Sequence, residues 1–339
     1  MKLKQGLAAL ILLAVTLVAA PARAANDAGL HTSIDNYLAD KTGHYSVTAL
    51  ELGGSNRSVH INGSSTVDPA SIFKLYYAWL ALEKIQQGNL GYATKLVSGY
   101  QLGTCLKLMI SYSDNYCTVD IRAKLGNAYV NTRLSDLGLA DSRIVLDSHG
   151  KYVTKETTTD DVATFLAKLH RGELLSTIYT AKFIEYLKAQ IWRARISSAL
   201  PVGTQVASKS GNLLVDSGMI EGDSAIIYGP TSTYVLVVIG TNDATSPAVR
   251  GVSDLVYRAW QGDIETTSSY STYQLVAPTK LYLRSSPAGW VIKTIKAGTP
   301  IKVYWNKRGW VWVNAAGRKG YIYYSKMRLS NRYLHWGGL

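Results

Sequence analysis

Only two cysteines occur in the chain, at positions 105 and 117, flanking one local segment. Neither their number nor their spacing suits a metal site, and the histidines (His31, His44, His60, His149, His170 and His335) form no ligand motif, so no metal or other cofactor is expected. Long hydrophobic runs are also lacking. The one candidate, Leu7 to Ala20, is short of the roughly eighteen apolar residues a membrane span needs. It follows MKLKQ and precedes Ala22-Arg23-Ala24, a charged region, an apolar region and a small-x-small cleavage site that together describe a secretory signal peptide over residues 1–24. The mature protein is therefore expected outside the cytoplasm, secreted or periplasmic and cell-wall associated, without a transmembrane anchor. Export permits a disulfide, so Cys105 and Cys117 either cross-link the turn between two helices or remain two buried thiols.

A third absence divides the chain. From Ser271 onward there is no aspartate or glutamate at all, against 12 lysines and arginines and five of the eight tryptophans. The segment 25–270 carries 21 basic and 23 acidic residues and is close to neutral, although the whole chain has a formal charge of +13. Two parts of the molecule thus have different partners. The break falls in the Ser/Thr-rich stretch QGDIETTSSYSTYQ, which reads as a linker, with its core at 263–273.

In the first part, a short helix over about 28–41 precedes two alternating runs, YSVTALEL and RSVHIN, joined by the hairpin signal GGSN. Helical spacing of apolar residues dominates from Ser71 to about Leu200, notably in 71–87, 102–112, 116–125 and 160–171. Strand-like runs QVASKSG, DSAIIYG and YVLVVIGT follow, then a helix from Pro247 to Trp260. Strands at both ends and helices between them suit an α/β domain over 25–262: an antiparallel sheet flanked by helices, with a helical subdomain beside it.

Ser71 and Lys74 stand three positions apart where a helix should begin. Alone, the pair reads first as an N-cap followed by a solvated lysine, and only second as a nucleophile and its base on one helix face. Ser113-Asp114-Asn115 lies between two helical runs, in a loop able to deliver a hydroxyl and a carboxamide. Lys209-Ser210-Gly211 is read as the end of a strand beginning near Thr204, where a cation, a hydroxyl and a residue without a side chain line a cleft wall. A lysine acts as base only with a depressed pKa, which burial and a second lysine would produce.

These three motifs, in this order and in these contexts (Ala-Ser-Ile-Phe-Lys-Leu; Leu-Met-Ile-Ser-Tyr-Ser-Asp-Asn; Glu-Thr-Thr-Thr-Asp-Asp-Val-Ala; Leu-Pro-Val-Gly-Thr-Gln-Val-Ala-Ser-Lys-Ser-Gly), resemble the class A β-lactamase and penicillin-binding-protein superfamily over most of 28–262. The resemblance implies that Ser71 attacks a carbonyl to give an acyl-enzyme and that Lys74 takes its proton. Ser113 would relay a proton to the leaving nitrogen, and Asn115 would hold the substrate amide. Lys209 and Ser210 would bind its carboxylate, with Arg250 either assisting or a plain surface residue. The N–H groups of Ser71 and Asn212 would form the oxyanion hole, and Asp114 would be structural.

One family feature is missing. No Glu-x-x-Leu-Asn occurs in ADSRIVLDSHGKYVTKETTTDD, residues 140–161, where class A enzymes carry the glutamate that activates the deacylating water. Asp147 is the nearest carboxylate and His149 the nearest alternative base; Glu156 is expected to pair structurally with Arg143. The expected activity is a serine hydrolase acylated by β-lactams or D-Ala-D-Ala cell-wall peptides. The alternatives are an efficient β-lactamase with a non-standard base, and a sensor or binding protein without turnover.

The tail, 274–330, resembles a bacterial SH3-like (SH3b) domain, a small all-β barrel, in Leu-Arg-Ser-Ser-Pro, Lys-Ala-Gly-Thr, Gly-Trp-Val-Trp-Val and Gly-Tyr-Ile; residues 331–339 read as a loose tail. That family implies binding of peptidoglycan or another anionic wall polymer. Trp290, Trp305, Trp310, Trp312, Tyr321 and Tyr323 interleave with cations, a pattern that also suits single-stranded nucleic acid, but export makes an envelope polymer the expected partner and no nucleic acid is expected. About half of these aromatics are expected to fill the barrel core. A monomer is expected.

Overall fold

The structure is a computed structural model that describes residues 25–201, 203–263, 275–276, 280–307, 310–323 and 328–329. The expected signal peptide at 1–24, the expected linker beyond Asp263 and the expected tail at 331–339 lie outside the described residues.

The chain runs β1 (Ala25–Asn26), α1 (Ala28–Ala39), β2 (His44–Glu51) and β3 (Arg57–Ile61), then through a 3-10 turn at Ala70–Phe73 into α2 (Lys74–Gln86). It continues with α3 (Leu102–Ser111), α4 (Asn115–Leu125), α5 (Asn127–Asp136), the hairpin β4 (Arg143–Leu146) and β5 (Tyr152–Glu156), α6 (Thr159–His170) and α7 (Thr177–Lys188). β6 (Gln205–Val215), β7 (Gly218–Tyr228), β8 (Thr233–Thr241) and α8 (Ser246–Gln261) close the first part. Its sheet has the order β1-β3-β2-β8-β7-β6, antiparallel except for β1 on β3. The expected α/β plan, strands from both ends and helices from the middle, is the one observed.

Two apolar layers hold it. On one face Leu30 and Ile34 of α1 and Val249, Val252 and Trp260 of α8 pack against Val47, Leu236 and Val238. On the other, α2 is the hub: from Lys74 to Glu83 every residue is buried, which follows from a helix apolar on all sides. Phe73, Tyr76, Trp79 and Phe165 meet edge to face there. This burial fixes the environment of Lys74, the first residue of the helix.

Three differences from the sequence reading have local causes. Ser71 does not begin an α-helix. It lies inside the 3-10 turn, and neither that turn nor α2 is capped by a side chain, so the capping alternative falls. Lys209-Ser210-Gly211 does not end its strand: β6 pairs with β7 from Gln205 to Val215, and the hairpin turns only at Gly218, where φ is +108°. The stretch 140–161 carries the β4–β5 hairpin, closed by Asp147, whose Oδ1 accepts from the N–H groups of His149 and Lys151, both at 2.8 Å.

Cys105 of α3 and Cys117 of α4 form a disulfide, 12 residues apart, around the Ser113 loop. Closing so short a loop removes little chain entropy, about 3 kcal/mol. Urea unfolding of a Cys105→Ala/Cys117→Ala variant is expected to show a loss of about that size, and an unchanged midpoint would contradict it.

The C-terminal part forms a seven-stranded sheet of order β11-β10-β14-β13-β12-β9-β15, from β9 (Leu275–Val276), β10 (Leu281–Arg284), β11 (Val291–Ile295), β12 (Pro300–Lys307), β13 (Trp310–Ala315), β14 (Arg318–Tyr323) and β15 (Arg328–Leu329). Among the described residues, Leu281, Leu283, Ile295, Ile301, Val311, Val313, Ala315 and Ile322 are its buried apolar side chains. Strand alternation puts Trp310 and Trp312 on the opposite face from Val311 and Val313. The described aromatics therefore do not fill the core. Trp310 packs on Tyr323 and Trp312 on Tyr321 across β13 and β14, and Trp290 is 79% exposed. The side chain of Trp305 lies outside the described residues.

Candidate active site

The turn that carries Ser71 is made by its neighbours. Pro69 fixes the entry, Asp68 Oδ1 accepts from Ala70 N at 2.7 Å, and Ala70 takes φ +48°, a left-handed conformation unusual for alanine. Asp68 is itself tied to β5 through Lys155 Nζ at 2.9 Å and Thr154 Oγ1 at 2.8 Å. β6, the edge strand, passes the turn so closely that a Cβ on Gly211 would lie 2.7 Å from Pro69 O and 2.9 Å from Ser71 N. Only glycine fits, and the half-buried Ser71 is held at the strand edge.

Lys74 is 4% exposed, and its Nζ donates to Ser113 O at 2.8 Å, Ser113 Oγ at 3.1 Å and Asn115 Oδ1 at 2.8 Å. Burial, opposed by Asp114 and assisted by Lys155, lowers its pKa to about 7. Lys209, also buried, donates to the same Ser113 Oγ at 3.1 Å and to Ser210 O at 2.7 Å. Burial first and the Lys74 charge second push its amine well below the usual lysine range. The Ser113 hydroxyl thus sits between two amines that resist protonation. Ser113 has φ +59°, and the loop is held from behind: Asp114 caps α4, its Oδ1 accepting from Cys117 N at 2.9 Å. The structural part expected for Asp114 is what this cap supplies.

Ser71, Ser113, Asn115, Ser210 and Asn212 line one cleft of about 810 Å³, with Trp192, Arg195 and Ser246 on its far side and Pro300–Tyr304 of β12 along its outer edge. Two expected site residues are elsewhere. Asp147 is exposed at the β4–β5 turn with its carboxylate engaged by backbone N–H groups, and Arg250 is exposed on α8 near Tyr37. Glu156 pairs with Arg143 at 2.7 Å, as expected.

Arg195 was not singled out from the sequence. It lies in the 189–195 connection, which is stitched to the end of α3 by Trp192 Nε1 on Tyr112 O and Ile191 N on Ser111 O, both 3.0 Å. Its guanidinium pairs with Glu221 of β7, which also accepts from Ser246 Oγ at 3.2 Å. The signal available was Trp-Arg-Ala-Arg, two cations just ahead of the Lys209 strand. Below it, Asp223 is buried and its carboxyl is pushed up to about 6 by burial, against the pull of Arg195. Four ionisable groups, Lys74, Lys209, Arg195 and Asp223, therefore underlie the wall.

The model of the beta-lactamase enzyme family (Beta-lactamase2) matches residues 29–260. The chain belongs to the beta-lactamase enzyme family. Family membership makes it a serine hydrolase. Its fold is similar to the structure of PBP-A, with TM-score 0.64 and 20% identity over 70% of this chain and 97% of that one. It is also similar to an ancestral (GNCA) class A β-lactamase, with TM-score 0.62 and 20% identity over 68% and 99% of the two chains. The TLA-3 extended-spectrum β-lactamase matches at TM-score 0.62 and 20% identity, over 68% and 98%. No curated protein matches.

Proposed function

We propose that the protein is an exported D,D-peptidase-type serine hydrolase that is acylated at Ser71 by D-Ala-D-Ala cell-wall peptides or by β-lactams, and that releases a β-lactam adduct slowly. The observation that carries this reading is the contrast between two parts of the site. The acylating half is assembled, with Lys74 buried beside Ser113 and Asn115. Asp147, the nearest carboxylate and the one considered as a deacylation base, is spent on a turn outside the cleft. The described residues lining the cleft offer hydroxyls, two amides, cations and apolar groups, and none of them is a carboxylate or histidine.

The proton path follows from donor counting. A neutral amine has two N–H groups and one lone pair. Ser113 O and Asn115 Oδ1 are acceptors only and take the two N–H groups, so the lone pair is left for a hydroxyl, Ser71 or Ser113. Ser71 Oγ attacks the carbonyl and its proton passes to Lys74 Nζ. The buried ammonium so formed is disfavoured by burial, which drives the proton on through Ser113 Oγ to the leaving nitrogen. The N–H groups of Ser71 and Asn212 hold the oxyanion. Lys209, Ser210 and, in the place first considered for Arg250, Arg195 bind the substrate carboxylate. A structural neighbour, a point mutant of PBP-A, is described as an acyl-enzyme complex with penicillin G, the kind of adduct proposed here.

The C-terminal module is proposed to be the SH3-like wall-binding domain. Supporting this are its outward aromatics and Tyr304, which lies under Lys302 and Lys319 at 5.7 and 5.2 Å. One preparation tests both parts. Incubated with a fluorescent penicillin, the protein is expected to keep its label for many minutes, to turn over a chromogenic cephalosporin slowly, and to pellet with purified cell walls. Rapid multiple turnover would instead make it an efficient β-lactamase, and labelled protein left in the supernatant would remove the anchor.

A further inference from the structure

The β4–β5 hairpin, in which a deacylation base was sought, delivers a cation to the nucleophile turn instead. Lys155 Nζ lies 2.9 Å from Asp68 Oδ1, and the two side chains are only 15% and 21% exposed, so the pair is largely shielded from water. The same Oδ1 accepts from Ala70 N at 2.7 Å, and Oδ2 accepts from Thr154 Oγ1 at 2.8 Å. The main chain is joined at this place too. Val67 N donates to Thr157 O at 2.9 Å, and Thr157 N donates back to Val67 O at 3.0 Å. The buried Thr157 hydroxyl also bonds Tyr76 OH of α2 at 3.0 Å. The end of the hairpin is thus fastened both to the chain entering the Ser71 turn and to the helix leaving it.

The turn needs such a hold. Ala70 keeps φ +48°, a conformation that a residue with a Cβ retains only where its surroundings impose it. An aspartate gripping the N–H two residues on is a local way to impose it, and Pro69 between them has no N–H to compete. A shielded carboxylate must itself be neutralised, and Lys155 does that with a charge-assisted bond. Neither Asp68 nor Lys155 lines the cleft, so both act on the reaction through Ser71 or through their charge.

We propose that Asp68 and Lys155 are positioning residues for acylation: through this ion pair the β4–β5 hairpin imposes the Ala70 conformation that turns Ser71 into the cleft. This rests on the reading that Ser71 is the nucleophile. The charge of Lys155 has a second, separable effect, on the base. Lys74 is faced by Asp114 from α4, which favours its protonated form, and by Lys155 from β5, which opposes it. Lys209 faces it from β6, and the Lys74 charge disfavours that of Lys209. Lys155 thus helps to keep Lys74 a free amine near neutrality.

The test uses the full-length protein and reads the rate of labelling by a fluorescent penicillin from about pH 5.5 to 8.5. Asp68→Ala is expected to slow labelling about tenfold or more at every pH. Lys155→Met leaves Asp68 on Ala70 N; it is expected to slow labelling less, and to move the midpoint of the profile to higher pH, because Lys74 then takes up a proton more readily. Loosened packing alone would not move that midpoint. Lys155→Arg restores the cation and is expected to return both rate and midpoint to the wild-type values. A wild-type rate in Asp68→Ala, an unmoved midpoint in Lys155→Met, or a Lys155→Arg protein no better than Lys155→Met would each overturn the proposal. If Asp68→Ala does not fold, Thr154→Val, which removes one partner of the carboxylate and no charge, takes its place; about threefold slowing is expected, and none would count against the brace. A wild type that takes no label at Ser71 would sink the nucleophile reading and the brace together, whereas a labelled wild type with unaltered variants sinks the brace alone.

Discussion

A Ser71→Ala protein is expected to take up no covalent label from a fluorescent penicillin and to release no D-alanine, a loss of about 10⁴-fold or more. Ser113 and Ser210 bring their own hydroxyls to the same cleft wall, so the result must separate them from Ser71. Ser210 is 4% exposed on β6, and Ser113 Oγ is already engaged by two amines, Lys74 and Lys209. Ser71 and Ser113 are both half-buried, but Ser71 alone stands on a turn whose own N–H lies against the glycine of the edge strand. Ser113→Ala is therefore expected to be labelled still, at the Ser71 peptide, but about 10²–10⁴-fold more slowly, because it loses only the proton relay. Mass spectrometry of the labelled peptides decides the matter: an adduct on Ser113 or Ser210 would displace Ser71 as nucleophile.

The second large effect belongs to Lys74. With its pKa lowered to about 7, the amine is protonated and unable to accept a proton below that pH and becomes a free base above it. The acylation rate is expected to rise about tenfold per pH unit below 7 and to level off above it. Lys74→Ala should lose this limb and about 10²–10⁴-fold in rate; a wild-type profile flat from pH 5.5 to 8.5 would refute the assignment. Folding stability is linked to the same group. The folded pKa lies below the ordinary lysine value of 10.5, so between about 7 and 10 the unfolded chain binds more protons. Stability should rise with pH across that window, by up to about 1.4 kcal/mol per unit for one such group. Lys209, shifted in the same direction, adds to the rise. Denaturant titrations at pH 7, 8 and 9 measure it.

Much of the candidate site was legible because its parts sit in short segments with distinctive residue types. Ser71, Lys74, Ser113, Asn115, Lys209, Ser210 and Asn212 converge on one cleft although they span 142 positions, since two helices and an edge strand deliver them. What could not be read was direction. Asp147 is a carboxylate in the right stretch, but a hairpin turn needs its oxygens for backbone N–H groups, and a one-dimensional pattern does not show which way a loop residue points. Arg195 depends on Glu221, 26 residues downstream, a pairing that exists only once β7 lies beside β6. The aromatics of the tail were divided evenly between core and surface, whereas strand parity sends Trp310 and Trp312 to the outer face together. Ser71 was assigned to a helix start from spacing alone; Ala70 at positive φ tightens the chain into a 3-10 turn first.

The disulfide bears on timing as well as strength. Ser113, Asp114 and Asn115 all lie inside the covalent ring from Cys105 to Cys117, and Cys117 N is also the group that Asp114 caps. The loop that touches Lys74 is thus braced by one thiol pair, and reduction is expected to loosen it. Chain that has not yet met an oxidant carries the nucleophile without its braced relay. The protein would become fully competent only after reaching a compartment that oxidises thiols, and its labelling rate would serve as a clock for that passage.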